Sequence, residues 1–176
     1  NFRLVTAPLA DPSPASWKPL VEHRTDVLLD AVEVFRDFLV VQEKQAGLNR
    51  LRVRSFADGS WKEVAFPEPV YTAYAAGTPE FGSRLLRYGY QSLVTPSSIY
   101  DYDMAAGTST LLKREEVLGG YDPARYASER LWATARDGVK VPISIVYPKA
   151  FARDGKAPLW LYEYGSYGAG MWASFD

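Results

Sequence analysis

The chain has 176 residues, 47% of them hydrophobic, enough apolar material to bury a substantial core rather than remain disordered. Lys and Arg number 20 against 21 Asp and Glu, so there is no global positive field to gather phosphate contacts, and nucleic acid is not an expected partner. Cysteine is absent, which removes disulfides, thiolate catalysis and cysteine-based metal centres; the single histidine, His23, rules out a multi-histidine site, so no metal or cofactor is expected.

No apolar run reaches bilayer length, and the opening "NFRLVTAPLADPSP" lacks a basic start followed by an apolar core. A cytoplasmic location without a membrane partner is the expectation. The chain opens at Asn1 rather than Met and stops at Asp176 just after a glycine-rich turn, which reads as a segment of a longer protein.

In chain order, aromatic-rich alternating runs separated by Gly, Pro, Asn and Asp predict antiparallel strands. The first set is "FRLVTA" (2–7), "DFLVVQEKQ" (37–45), "NRLRVRSF" (49–56) and "WKEVAF" (61–66), with hairpin turns at "AGLN" and "ADGS". A second set follows: "RLLRYGYQSL" (84–93), "SSIYDYDMAA" (97–106) and "STLLKREE" (109–116). A displacement of 48 residues sets Phe38 on Leu86, Leu51 on Ile99, Arg54 on Tyr102 and Gly59 on Gly107. A strand-turn-strand repeat of that period predicts propeller blades, each of which needs a neighbour to bury its face. Residues 25–39 carry two patterns. A stripe of Leu28, Ala31, Val32, Phe35 and Leu39 behind a Thr25 or Asp26 cap would suit a helix, whereas the repeat favours strands.

Beyond residue 118 the character changes. "GGYDP" (119–123) reads as a joint, and 126–149 as two strands around the Asp137-Gly138 turn. "KAPLWLYEYG" then gives a continuous apolar run, the pattern of a central α/β strand, ending in the turn "YGSYGAG". A nucleophile elbow G-x-S-x-G needs a small residue two before the serine; Tyr164 fills that slot, which argues against Ser166. Gly165, Gly168 and Gly170 reverse the dinucleotide fingerprint, and no Gly-Lys-Ser/Thr follows for a phosphate loop. A purely structural turn remains open. So does a phenol at Tyr164 held beside glycines as a donor to a developing oxyanion. The runs "EHRTD" and "REE" read as solvated charge or local ion pairs, and the five Trp residues as core or inter-blade packing.

"EVLGGYDPARYASERLWATARDGVKVPISIVYPK" followed by "PLWLYEYGSYGAG" resembles the prolyl oligopeptidase family of serine peptidases, and within it the oligopeptidase B branch; "VLLDAVEVFRDFLVVQEKQAGLNRLRV" and "YGYQSLVTPSSIYDYD" look like its late propeller blades. The resemblance spans essentially the whole chain. It implies a mainly β fold, with residues 1–117 the end of a seven-bladed propeller and 118–176 a linker and the first strands of an α/β-hydrolase domain. It implies that Tyr164 supplies half of an oxyanion hole and that Tyr167 lines the substrate pocket. The Gly-Ser-Tyr pattern points to cleavage of short peptides after Arg or Lys. The family's nucleophilic serine, aspartate and histidine have no counterpart here, since His23 lies in the propeller portion, so the chain alone should be inactive and needs the rest of a parent chain. The alternatives are a post-proline or acylaminoacyl-type branch, or a non-catalytic β-rich interaction segment.

Overall fold

A computed structural model describes residues 1–176 as twelve β-strands and two 3-10 turns, with no α-helix. The strands are β1 (Leu4–Thr6), β2 (Lys18–Val21), β3 (Val27–Val34), β4 (Phe38–Gln45), β5 (Leu48–Ser55), β6 (Trp61–Glu63), β7 (Tyr71–Ala75), β8 (Leu85–Ser92), β9 (Ser98–Asp103), β10 (Thr108–Arg114), β11 (Tyr126–Thr134) and β12 (Lys140–Pro148). β3–β6 and β7–β10 are two four-stranded antiparallel meanders; β1–β2 and β11–β12 are two-stranded sheets. The residue 25–39 ambiguity resolves as strand. Val27 and Leu29 alternate inward, whereas Ala31 and Val32 of the helical stripe are exposed, and β3 pairs along its length with β4 across a bulge after Leu29.

The alternation of β4 decides how the first meander packs. Val40, opposite Val53, and Leu51 on β5 point to one face, and Leu39 and Val41 to the other. The first face joins Phe35 and Val64 to Ala73, Leu86, Tyr88, Tyr90, Tyr102 and Met104 of the second meander in a single core. The second face packs with Val21, Leu29, Leu4, Leu20 and Trp61, so β1–β2 cover it. Neither meander could bury an apolar face alone; each completes the other. Polar groups stitch the same boundary. Arg36 N–H donates to Phe81 O (2.8 Å), Thr78 N–H to Glu33 Oε1 (2.6 Å), Ala75 N–H to Gln42 Oε1 (3.1 Å) and Lys62 Nζ to Ala105 O (2.9 Å).

The internal repeat is visible in the turns. Gly59 (φ 73°) and Gly107 (φ 77°) both sit in the left-handed region after the third strand of their meander. Each donates its N–H four residues back, to Ser55 O (3.0 Å) and Asp103 O (2.7 Å).

Two side-chain expectations are corrected. Arg24, within the run read as local or solvated charge, pairs with Glu43, which is 1% exposed and also accepts from Arg52 Nη1 at 3.1 Å; Arg52 in turn lies 4.5 Å over the Trp61 ring. Glu43 continues the inward parity of Leu39 and Val41, so its carboxylate is buried and needs both guanidiniums. The tryptophans are not a core set. Trp17, Trp132, Trp160 and Trp172 are exposed, and only Trp61 is partly buried against a core cluster.

Asp103 accepts from the N–H groups of Ala105 and Ala106 in the Gly107 turn and pairs with Arg84. The Ala106 N–H bond holds the carboxyl below its ordinary value of 3.8, with Arg84 adding to the effect. A carboxyl depressed in the folded state stabilises the protein above its unfolded value and loses that contribution as pH falls through the folded one. Asp103→Asn should therefore lower the urea midpoint at pH 7. The gap to the wild type should close below the ordinary carboxyl value of 3.8.

Candidate functional site

The candidate site belongs to the segment after the meanders. Gly119 (φ 87°) and Gly120 (φ 88°) are consecutive left-handed residues, which makes the joint a glycine-dependent corner. Tyr121 then donates its hydroxyl to Val94 O at 2.9 Å and stacks on Tyr126 at 5.6 Å. Asp122 caps the 3-10 turn Pro123–Arg125 by accepting from Ala124 N–H at 2.9 Å.

β11 and β12 pair without a register break from Tyr126–Pro148 to Thr134–Lys140, around the Asp137-Gly138 turn that the sequence predicts. Gly138 has φ 86°, and Asp137 Oδ1 accepts from Val139 N–H at 3.0 Å. Near the base of the hairpin, Glu129 accepts from the Tyr147 hydroxyl and from Arg153, and these bonds hold its carboxyl below the usual range, the Tyr147 bond first.

The apolar run after the hairpin departs from the central-strand expectation. Residues 158–164 form no strand, and Leu159 (75%), Trp160 (88%) and Tyr162 (66%) lie open to solvent. The reason is the lack of neighbours. A strand buried on both faces needs pairing edges and a layer above and below, while β11–β12 is a lone two-stranded sheet and the chain has no helix to cover it.

The glycine-rich turn does form. Tyr167 (φ 56°) and Gly168 (φ 73°) are its central residues, and Ala169 N–H donates to Ser166 O at 3.0 Å, the pattern of a type I′ turn. Ser166 thus enters the turn through its carbonyl. Tyr164 is 48% exposed and Tyr167 99% exposed. The two stand on one loop, but nothing else from the sequence-read site joins them, and His23 is an exposed loop residue. The loop is anchored again at its far end. Ala173 is buried, Phe175 N–H donates to Gln91 Oε1 at 3.2 Å, and the Phe175 ring meets Tyr121 edge-on at 5.0 Å.

A cleft of about 690 Å³ lies elsewhere, between β3–β4 and β7, and includes Glu33, Gln42, Tyr74 and Thr78 in its lining. Glu33, Gln42 and Thr78 already carry hydrogen bonds there, so the cleft reads as a seam between the meanders. Sequence reasoning missed a second polar cluster, in which Glu68 accepts from the Tyr90 hydroxyl and from Thr95 Oγ1 (2.9 Å). Burial together with that carboxylate pushes the Tyr90 hydroxyl well above its ordinary range. The inward parity of Tyr90 with Leu86 and Tyr88 was the only signal for it.

Comparison with known proteins places this architecture. A profile described as "Prolyl oligopeptidase, N-terminal beta-propeller domain" matches residues 1–115, and the chain belongs to the prolyl oligopeptidase family. Over its whole length it is 45% identical to dipeptidyl aminopeptidase BI of Pseudoxanthomonas mexicana and 35% identical to protease 2 of Moraxella lacunata, covering 24% and 25% of those chains. The solved structure of oligopeptidase B from Leishmania major superposes with a TM-score of 0.87 at 35% identity, over 99% of this chain and 25% of that one. The chain therefore spans about a quarter of the length of the relatives it matches.

The open placement of the aromatic loop has a direct optical readout. Trp160 should be quenched by acrylamide close to the limit of a free indole, whereas Trp61 resists, and Trp160→Phe should remove the most quenchable part of the emission. Equal quenching of the two tryptophans would contradict the placement.

Proposed function

We propose that this chain is the junction of a serine oligopeptidase: residues 1–117 form the closing blades of a seven-bladed β-propeller, and 118–176 the linker and first strands of an α/β-hydrolase domain. The observation that carries the reading is the full-length likeness to protease 2 and the 45% relative, which continues past residue 115, where the propeller profile stops, through the hairpin and the "YGSYGAG" loop. The change from shared core to exposed hairpin at the Gly119-Gly120 joint supports the same boundary.

On this reading the apolar run 158–164 becomes a central strand once the remaining hydrolase strands and helices cover it. Its carboxyl end then carries Tyr164 toward the reacting carbonyl. The chemistry is acyl transfer, in which a serine attacks the peptide carbonyl, a histidine takes its proton, and prearranged donors hold the oxyanion. The Tyr164 hydroxyl is one such donor, and Tyr167, projected by the I′ turn, lines the substrate pocket. The nucleophile and its base come from the rest of the parent chain, and the substrates are short peptides with Arg or Lys before the cleaved bond. A second reading comes from the 45% relative, named a dipeptidyl aminopeptidase. Release of dipeptides from a free amino terminus would use the same acyl chemistry, and blocked against unblocked arginyl substrates distinguish the two.

In the full-length peptidase, Tyr164→Phe should lower kcat about 10²- to 10³-fold with little change in KM, as for loss of one oxyanion donor. The 176-residue chain alone should leave an arginyl amide intact. An unaltered kcat removes Tyr164 from the mechanism, and cleavage by the chain alone removes the division of labour.

A further inference from the structure

Three hydrogen bonds join residues 118–176 to residues 1–117: Tyr121 to Val94 O, Phe175 N–H to Gln91 Oε1, and Arg130 Nη2 to Ala46 O. The first two reach the β8 strand and the turn after it. The third alone reaches the first meander, across 84 residues of sequence, at a distance of 2.7 Å.

Its acceptor turn is built to receive a side chain. Ala46 (φ 51°) and Gly47 (φ 76°) are the two left-handed residues linking β4 to β5, and a left-handed alanine is uncommon. A Cβ at Gly47 would lie 2.3 Å from Arg130 Nη2 and 3.2 Å from Pro142 Cγ, so the guanidinium occupies space that exists because position 47 has no side chain. On the hairpin, Arg130 Nη1 donates to Ser144 Oγ at 2.8 Å from the directly opposed strand position. Arg130 Nε is buried without a partner, so that edge of the guanidinium has given up water to sit there.

Little else holds the hairpin down. No residue of β11 or β12 belongs to either core cluster, and Leu131, Trp132, Val141 and Val146 are exposed. An attachment made of one ionised donor and one carbonyl, with no shared core, can open without unfolding either partner.

We propose that Arg130 is a releasable latch that clips the β11–β12 hairpin to the Ala46-Gly47 turn of the first meander, with the Gly119-Gly120 joint as pivot. Closing it sets the approach of the Tyr164-bearing loop to the propeller portion; opening it releases that loop at its hairpin end while the Tyr121 and Phe175 contacts stay in place. The latch does not depend on the peptidase reading.

The chain has no cysteine, so Ala57→Cys in the β5–β6 turn and Arg136→Cys at the hairpin tip give a unique pair for spin labels. Dipolar distance measurement on the 176-residue chain should give one narrow separation. Arg130→Met, which keeps an unbranched stem but removes the donors, should add a second, longer separation, raising the open-to-closed ratio roughly tenfold for loss of an ionised hydrogen bond. Gly47→Asn tests the other partner. Asparagine tolerates the left-handed turn, yet its Cβ fills the space of the guanidinium, so it should produce the same second population. If Arg130→Met does not fold, Gly47→Asn decides alone. A single unchanged separation in the folded variants overturns the latch, and because no catalysis is measured, that failure leaves the peptidase reading standing.

Discussion

An antiparallel sheet with apolar side chains on both faces cannot be stable alone, and everything in this chain follows from how that constraint is met. β4 sends Val40 one way and Leu39 and Val41 the other, and each face finds a different cover. The second meander closes the first face through a core in which Leu51 and Leu86 are fully buried and Tyr88, Tyr90 and Tyr102 contribute three of the large side chains. Large aromatics suit such a seam, because their rings fill the wedge between twisted sheets while their hydroxyls reach polar partners; Tyr88 donates to Ser109 at 3.0 Å, and Tyr90 finds Glu68.

The same constraint explains why the segment after residue 118 looks different. A hairpin and an apolar run have no layer to join within these residues, so the segment rests on the meanders through three hydrogen bonds, one of them from the hairpin, and the aromatic loop stays in solvent. Stability is thus concentrated in the stacked sheets, and mobility is available at the junction, where the proposed chemistry would need it. The propeller portion offers a rigid platform. The hairpin and loop are the part that can be repositioned on it.

Much of this was legible in the sequence where side-chain alternation is strong. β4, β5, β8 and β10 fall within a residue or two of their predicted limits, the Asp137-Gly138 hairpin forms as read, and the 48-residue displacement reappears in the Gly59 and Gly107 turns. β2 and β7 were missed because "KPLV" carries a proline and "YTAYA" small residues, so neither alternates sharply; sheet neighbours, not local preference, make them strands. The run 158–164 shows the reverse failure, since local pattern announces a buried strand and tertiary partners decide whether one forms. Glu43 could have been found from parity with Leu39 and Val41. Nothing local marks Arg130, whose partner carbonyl lies on a turn 84 residues away. Of the candidate site, the turn was legible and its geometry forms, whereas Tyr164 stands 48% exposed and only Tyr167 of the residues read as a site shares its loop.

Native-state hydrogen exchange tests the central claim, that the two meanders are one cooperative unit and the segment beyond them is not. With rising denaturant, strand amides of Val40 and Val53 in the first meander and of Leu86 and Tyr88 in the second should merge into a single opening free energy, while amides of 159–172 exchange near the unprotected rate throughout. If one meander opens while the other stays protected, or if the aromatic loop is as protected as the strands, the shared core is not what holds this chain together.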